Sequence, residues 1–172
     1  MSEHNQEKTK LVNSVFNRVH KNYDLMNDIM SFGVHRLWKK NLVNWMRPQI
    51  GNKIIDVASG TGDLAEIISK KNDDKNSIYC IEPNQGMFEM GENKLKYLKN
   101  IKWHLCSAEK LPFKDNTFDF YTISYGIRNV TDINQCLKEA FRVLKPGGRF
   151  LCLEFSKVEN EILNLLYKNY SK

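Results

Sequence analysis

From Lys53 onward the chain alternates short β-type runs with segments of helical period, and no other feature narrows its fold as much. The strand-like runs are Lys53 to Ala58, Ser77 to Glu82, Ile101 to Cys106, Phe118 to Ser124 and Arg149 to Phe155. Between them lie helical segments at Leu64 to Lys71 and Asn84 to Lys99, and a stripe of Ile133, Cys136, Leu137, Ala140, Phe141 and Leu144. For that stripe Asp132 supplies an N-cap, and Pro146-Gly147-Gly148 a stop. Strands separated by helices run parallel, and right-handed crossovers then predict an α/β fold built on an open, doubly wound, mostly parallel sheet.

Ahead of the sheet, Leu11, Val12, Val15, Phe16 and Val19 share one helical face, and Trp38, Leu42, Trp45 and Met46 share another. The expected division is a helical N-terminal extension over 1–50, on the cap or substrate side, and an α/β domain over 51–172, as one compact unit. A length of 172 residues with 41% hydrophobic residues suits that unit and excludes a disordered chain. No apolar run approaches the roughly 18 to 20 residues that cross a bilayer, and Met1 to Lys10 holds Glu3, His4 and Glu7 with no apolar block. A cytoplasmic protein, at most peripheral to the membrane, is expected. Cys80, Cys106, Cys136 and Cys152 form no CxxC pair and read as buried, reduced thiols. His4, His20 and His104 lack metal-ligand spacing, and no metal is assigned. Residues 1–50 carry 8 Lys+Arg against 4 Asp+Glu, most of the net charge of +6. Such an excess is either a solvated basic face or a surface drawn to anionic lipid; no basic stripe with interleaved aromatics points to nucleic acid.

After the first strand comes Asp56-Val57-Ala58-Ser59-Gly60-Thr61-Gly62-Asp63 and then a helix, an order that lets a ligand approach the backbone at a helix N-terminus. Glu82 ends the second strand 22 residues after Gly60, where a carboxylate can accept both hydroxyls of a ribose. Together they predict an adenosine-containing cofactor. Ala65 stands where a dinucleotide fingerprint usually has a third glycine, a tolerated variant, so spacing leaves NAD open. Asp56 and Asp63 flank the loop; two carboxylates would repel a pyrophosphate and suit a ligand carrying an amino group and a sulfonium, which favours S-adenosylmethionine (SAM). Asp63 reads equally as a first-turn acid facing the helix dipole.

Two long segments resemble the signatures of the ubiquinone/menaquinone biosynthesis C-methyltransferases: Tyr23-Asp24-Leu25-Met26-Asn27-Asp28-Ile29-Met30-Ser31-Phe32-Gly33-Val34-His35-Arg36-Leu37-Trp38, and Arg142-Val143-Leu144-Lys145-Pro146-Gly147-Gly148-Arg149-Phe150-Leu151-Cys152-Leu153-Glu154-Phe155-Ser156. Ala108 to Phe113, Asp115 to Asp119 and Gly126 to Asp132 match the family pattern in order. The resemblance implies a Rossmann-like SAM methyltransferase fold and methyl transfer from SAM to a ring carbon of a polyprenylated quinol. It implies that Gly60 and Thr61 meet the cofactor, Glu82 holds its ribose, Ser107 and Ala108 border the adenine, and Ser124 lies near the methionine end. Ser107 replaces the Asp or Asn common at that position, and Ser59 replaces a frequent glycine. Arg128 and Asn129, after the fourth strand, are implied as the catalytic pair; Arg stays protonated, so orientation and oxyanion stabilisation suit it better than base catalysis. A structural Arg paired with a neighbouring acid is the plainer alternative. His35 is a second proton acceptor or a hydrogen-bonding scaffold. Tyr23, Met26 and His35, with Asn27 and Met30, are the candidates for lining the quinol pocket.

Relatives of this fold usually add a helix and an antiparallel strand pair after the fifth strand, but only Ser156 to Lys172 remain, room for one helix with Ile162, Leu163, Leu166, Tyr167 and Tyr170 on a face. The last two strands are therefore expected to be missing, leaving an apolar edge that invites a homodimer or a biosynthetic complex. A SAM methyltransferase of another small molecule, and a non-catalytic SAM-binding remnant or assembly subunit, are the competing functions.

Overall fold

The structure, a computed structural model, describes residues 34–154. The expected helix around Leu11 to Val19, the pocket candidates Tyr23 and Met26, and the apolar face from Ile162 to Tyr170 lie outside the described residues.

Helix α1 (Val34–Met46) leads into strand β1 (Lys53–Val57), followed by α2 (Asp63–Lys71), β2 (Ser77–Ile81), α3 (Gln85–Lys94) and β3 (Ile101–His104). Strand β4 (Phe118–Ser124), a short 3-10 turn at Ile127–Asn129, α4 (Ile133–Val143) and β5 (Leu144–Leu153) complete the order. The five strands form one sheet in the order β3-β2-β1-β4-β5, and every neighbouring pair is parallel. The chain winds outward from β1 to β3, then returns to the other side of β1 with β4, which makes the space beyond the carboxyl ends of β1 and β4 the switch point where such sheets bind ligands.

Because strand side chains alternate, β1 feeds both faces of the sheet: Ile54 packs with Val43 and Met46 of α1 and Leu64, Ala65 and Ile68 of α2, while Ile55 and Val57 pack with Cys136, Ala140 and Val143 of α4. Asp132 caps α4 as expected, its side chain accepting the Gln135 N–H at 3.0 Å. The outer half of that stripe stays exposed, Phe141 at 86%, with Leu137 and Ile133 near 40%.

Two boundaries differ from the sequence reading by five residues each. Helix α3 ends at Lys94 rather than Lys99, since Leu95 and Leu98 leave the helix to bury themselves under β3. Pro146-Gly147-Gly148 ends α4 but does not delay β5, which begins at Leu144 and carries the three residues as an irregularity between Phe118 and Phe120 of β4. Gly148 is required there, because a Cβ would stand 2.8 Å from the Lys145 carbonyl oxygen. The cysteines also divide: Cys80 and Cys136 are buried, Cys106 is half-buried and Cys152 is exposed on β5.

Candidate functional site at the carboxyl edge of the sheet

The turn from β1 into α2 is built on left-handed backbone: Ala58 has φ 53°, Gly60 57° and Gly62 83°. Gly62 caps α2 without a side-chain bond, and the space its missing Cβ leaves is taken by protein, with Leu95 Cδ1 2.6 Å and Trp103 Cζ2 3.0 Å from where a Cβ would stand. Gly91 on α3 also makes room for the same indole, its ideal Cβ 2.8 Å from Trp103 Cζ2. The loop N–H groups are likewise used internally, Gly60 donating to Glu82 Oε2 at 2.8 Å and Gly62 to the Ser59 carbonyl at 2.9 Å. These glycines therefore shape and seat the loop.

Glu82 follows β2 at 7% exposure and spans the gap between β1 and β2. Its Oε2 takes the Gly60 N–H and its Oε1 the Asn84 N–H at 3.0 Å. Burial raises its pKa, opposed by those two N–H donors. An ionised carboxylate has about four acceptor positions, so each oxygen retains one for a hydroxyl. Asn84 in turn caps α3 by accepting the Met87 N–H. The acidic end of β2 is thus wired to both ligand-side loops.

Beneath the loop lies a buried charge cluster. Asp56 Oδ1 accepts the Thr122 hydroxyl at 2.8 Å, and its Oδ2 is buried with no hydrogen-bond partner among the described residues. Burial pushes the Asp56 pKa up to about 7, with the Thr122 bond and Lys39 pulling it down and Glu82 and Asp63 adding to the rise. Asp63 is paired twice, with Lys39 at 3.2 Å and Lys94 at 2.6 Å. Burial alone would raise its pKa, but the two ammonium groups hold it below the ordinary value. Asp63 is thus already neutralised by two lysines of the protein, which removes it from the pair of carboxylates expected to face a cationic ligand, while Asp56 keeps one oxygen without a partner among the described residues. Lys39, a buried lysine on α1 that the sequence reading passed over, neutralises Asp63 and ties α1 to the loop.

On the other side of the switch point, Ser124 ends β4 with its hydroxyl buried and without a partner among the described residues. Tyr125 follows at φ 58°, and Gly126 packs so tightly that a Cβ would collide with the Cβ of Ala58. The carboxyl ends of β1 and β4 are thereby drawn together. Arg128, its side chain 53% exposed, pairs with Glu154 just beyond β5 at 3.0 Å, and Asn129 closes the 3-10 turn on the Gly126 carbonyl. Glu154 is a member of this edge that the sequence reading quoted only inside a motif. Ser107 and Ala108 follow β3, the first exposed and the second 6% exposed. Thr61 is 2% exposed in the loop, and His35 is 3% exposed on α1, one turn before Lys39.

Gly60, Thr61, Glu82, Ser107, Ala108, Ser124, Arg128 and Asn129 therefore all lie at or just past the carboxyl ends of parallel strands. Two acceptor oxygens at the end of β2, an unpartnered carboxylate oxygen under the loop and an unpartnered hydroxyl at β4 fit a ligand that offers a ribose diol and positive charge.

Comparison with known proteins points to the same class of ligand. The ubiE/COQ5 methyltransferase family profile matches residues 1–172. The ubiquinone/menaquinone biosynthesis C-methyltransferase UbiE of Rickettsia bellii is 52% identical over 171 residues, covering 96% of this chain and 68% of its own length. The protein of the same name from Rickettsia prowazekii is 50% identical with the same coverage. Among solved structures, a SAM-dependent methyltransferase from Thermotoga maritima, described as a possible histamine N-methyltransferase, superposes with a TM-score of 0.67 at 27% identity, over 91% of this chain and 67% of its own. The [4+2]-cyclase SpnF reaches 0.70 at 21% identity, over 83% of this chain and 60% of its own, a likeness of fold alone.

Proposed function

Because this chain belongs to the ubiE/COQ5 methyltransferase family, we propose that it methylates a ring carbon of a polyprenylated quinol in ubiquinone or menaquinone biosynthesis, with SAM as methyl donor. The observation that carries the reading is Glu82: a buried carboxylate fixed by Gly60 and Asn84 at the mouth of the β1–α2 loop, with acceptor positions left for a diol. SAM, when bound, supplies a methyl group made electrophilic by the sulfonium beside it. Glu82 holds the ribose, Gly60 and Thr61 form the floor under it, and Ala108 and Ser107 border the adenine. Ser124 offers its hydroxyl to the methionine end, and the Asp56 carboxylate complements the positive charge from below.

A ring carbon is a weak nucleophile until a neighbouring hydroxyl gives up its proton, so the protein must hold the ring in line and stabilise the developing oxyanion. Arg128 and Asn129 at the end of β4 fill that role, Arg128 as a fixed cation. Tyr23 and Met26, which lie outside the described residues, and His35 on α1 are the candidates for the quinol side.

The polyprenyl tail places the substrate in a bilayer, and the proposal extends to peripheral contact at the cytoplasmic membrane face. No helix among the described residues is long and apolar enough to cross a membrane. Helix α1 and its exit carry Arg36, Lys40 and Arg47 beside exposed Leu37, Trp45 and Ile50, a combination suited to an anionic interface. The outer edge of β5 is the surface for self-association or for a biosynthetic complex.

The test is methyl transfer from SAM to a demethylated quinol, read by mass spectrometry of the extracted product. A quinol gaining one methyl group supports the proposal. SAM binding without turnover on any quinol replaces it with a non-catalytic role, and transfer to a different small molecule replaces the substrate.

A further inference from the structure

Methylation of a quinol ring needs a group that accepts the hydroxyl proton, and Arg128 is unfit because it stays protonated. The structure sets a carboxylate against it. Glu154 follows the last residue of β5, and its Oε1 receives the Arg128 guanidinium at 3.0 Å. The side chain is 19% exposed, where Arg128 is 53% exposed, so the pair has a half-buried acidic end and an open cationic end. The backbone that presents it is fixed. Leu153 pairs with Ser124 across β4 and β5, and its carbonyl takes the Tyr125 N–H at 2.7 Å. Glu154 thus stands next to the residue that ends β4 and carries the unpartnered hydroxyl of the candidate site.

We infer that Glu154 is the proton acceptor of the reaction, held by Arg128 against the quinol hydroxyl; the inference rests on the proposed quinol C-methylation. The O–H bond breaks with its electron pair left on the quinol oxygen, and the carboxylate becomes a carboxylic acid. As the ring carbon forms its new bond to the methyl, the donor's carbon–sulfur bond breaks with its pair kept on sulfur. The ring carbon then loses its own proton to water, and Glu154 returns the first proton to the oxygen, so one proton is released per turnover. A carboxylate can accept that proton although a phenolic hydroxyl is the weaker acid in the ground state, because the hydroxyl becomes far more acidic as the ring donates electrons to the incoming methyl. Arg128 faces the same oxygen and stabilises its negative charge.

Among the described residues, the titratable groups around Glu154 are Arg128 from the 3-10 turn, Tyr125 from the end of β4 and Cys152 on its own strand. Tyr125 stays protonated through neutral pH, its pKa pushed up to about 12 by burial and by Glu154 itself. The decisive comparison sets wild type against Glu154→Gln, Glu154→Asp and Arg128→Gln, each first checked for wild-type SAM affinity by calorimetry, with kcat then measured between about pH 6 and 9 on a demethylated quinol. Glu154→Gln is expected to lose on the order of 100-fold or more in kcat, with its residual rate climbing about tenfold per pH unit as the quinol ionises unaided. A quinol analogue with an electron-withdrawing ring substituent, and so a more acidic hydroxyl, should recover part of that loss. Glu154→Asp should restore part of the rate, and Arg128→Gln should lower kcat without the steep pH dependence. If Glu154→Gln keeps wild-type kcat, or falls in parallel with Arg128→Gln and shows no pH-dependent recovery, Glu154 only anchors the arginine. A wild-type chain that methylates no quinol overturns the functional reading and this assignment together.

Discussion

Replacing Gly62 with alanine separates two demands that one glycine meets. Its φ of 83° costs a side chain about 1–2 kcal/mol in any surroundings. The new Cβ would also stand 2.6 Å from Leu95 Cδ1 and 3.0 to 3.1 Å from two atoms of the Trp103 ring, and forcing a methyl into such a core costs about 1–3 kcal/mol more. Leu95 is 2% exposed and has little room to turn away. Gly51 is the control, with φ 86° and nothing within 4 Å of a Cβ. Thermal unfolding should therefore show Gly62→Ala less stable than Gly51→Ala by about 1–3 kcal/mol, on the order of 5 °C in Tm. Adding Leu95→Ala to Gly62→Ala opens space for the methyl, so the double variant should lose less than the sum of its parts. SAM affinity should fall for Gly62→Ala and hold for Gly51→Ala. Equal losses in the two glycine variants, with strictly additive behaviour of Leu95→Ala, would refute the packing argument and leave only backbone strain.

Glu82→Ala should weaken SAM binding by about 10-fold or more in calorimetry and lower Tm as well, since it strands the Gly60 and Asn84 N–H groups, at about 1–3 kcal/mol for each one left buried without an acceptor. Asp56 sets a pH dependence with a definite sign: its folded pKa of about 7 lies above the ordinary 3.8, so the native state binds the extra proton and this group's contribution to stability falls as pH rises from about 4 to 7. Asp56→Asn keeps the Thr122 bond and removes the titration, so its Tm should gain on wild type at about pH 8 relative to about pH 5; parallel Tm curves would count against a raised Asp56. A cationic ligand favours the charged form, so wild-type SAM affinity should rise over the same interval, and Asp56→Asn should flatten it. Lys39→Met leaves Asp63 with Lys94 alone, and should cost about 1–3 kcal/mol in chemical denaturation and loosen α1 from the loop.

The order of elements was legible because period-2 and period-3.6 patterns are local, and because Asp132 and the Pro-Gly-Gly run mark both ends of α4 without help from the rest of the chain. Glu82 was legible for the same reason: its distance from Gly60 follows from one strand-helix-strand unit, and the structure closes that interval with a single hydrogen bond. What escaped were pairings set by the fold as a whole. Lys39 lies 24 residues from Asp63, and Arg128 lies 26 from Glu154; neither interval carries a pattern, and they meet because α1 packs beside α2 and because β4 and β5 are neighbours in the sheet. The loop glycines were read as room for a ligand, whereas Gly62 gives room to Leu95 and Trp103, side chains that reach it through α3 and β3. The edge position of β5 among the described residues matches the five-strand reading, while Cys152, expected inside, is exposed on that edge strand.

The central claim is that the carboxyl ends of β1, β2 and β4 hold SAM, and the most direct measurement is a crystal structure of the chain with S-adenosylhomocysteine, the demethylated product. The account predicts both ribose hydroxyls on the Glu82 carboxylate, the adenine beside Ala108 and the amino-acid end toward Ser124. Nucleoside density elsewhere on the protein, with Glu82 still bound only to Gly60 and Asn84, would contradict it.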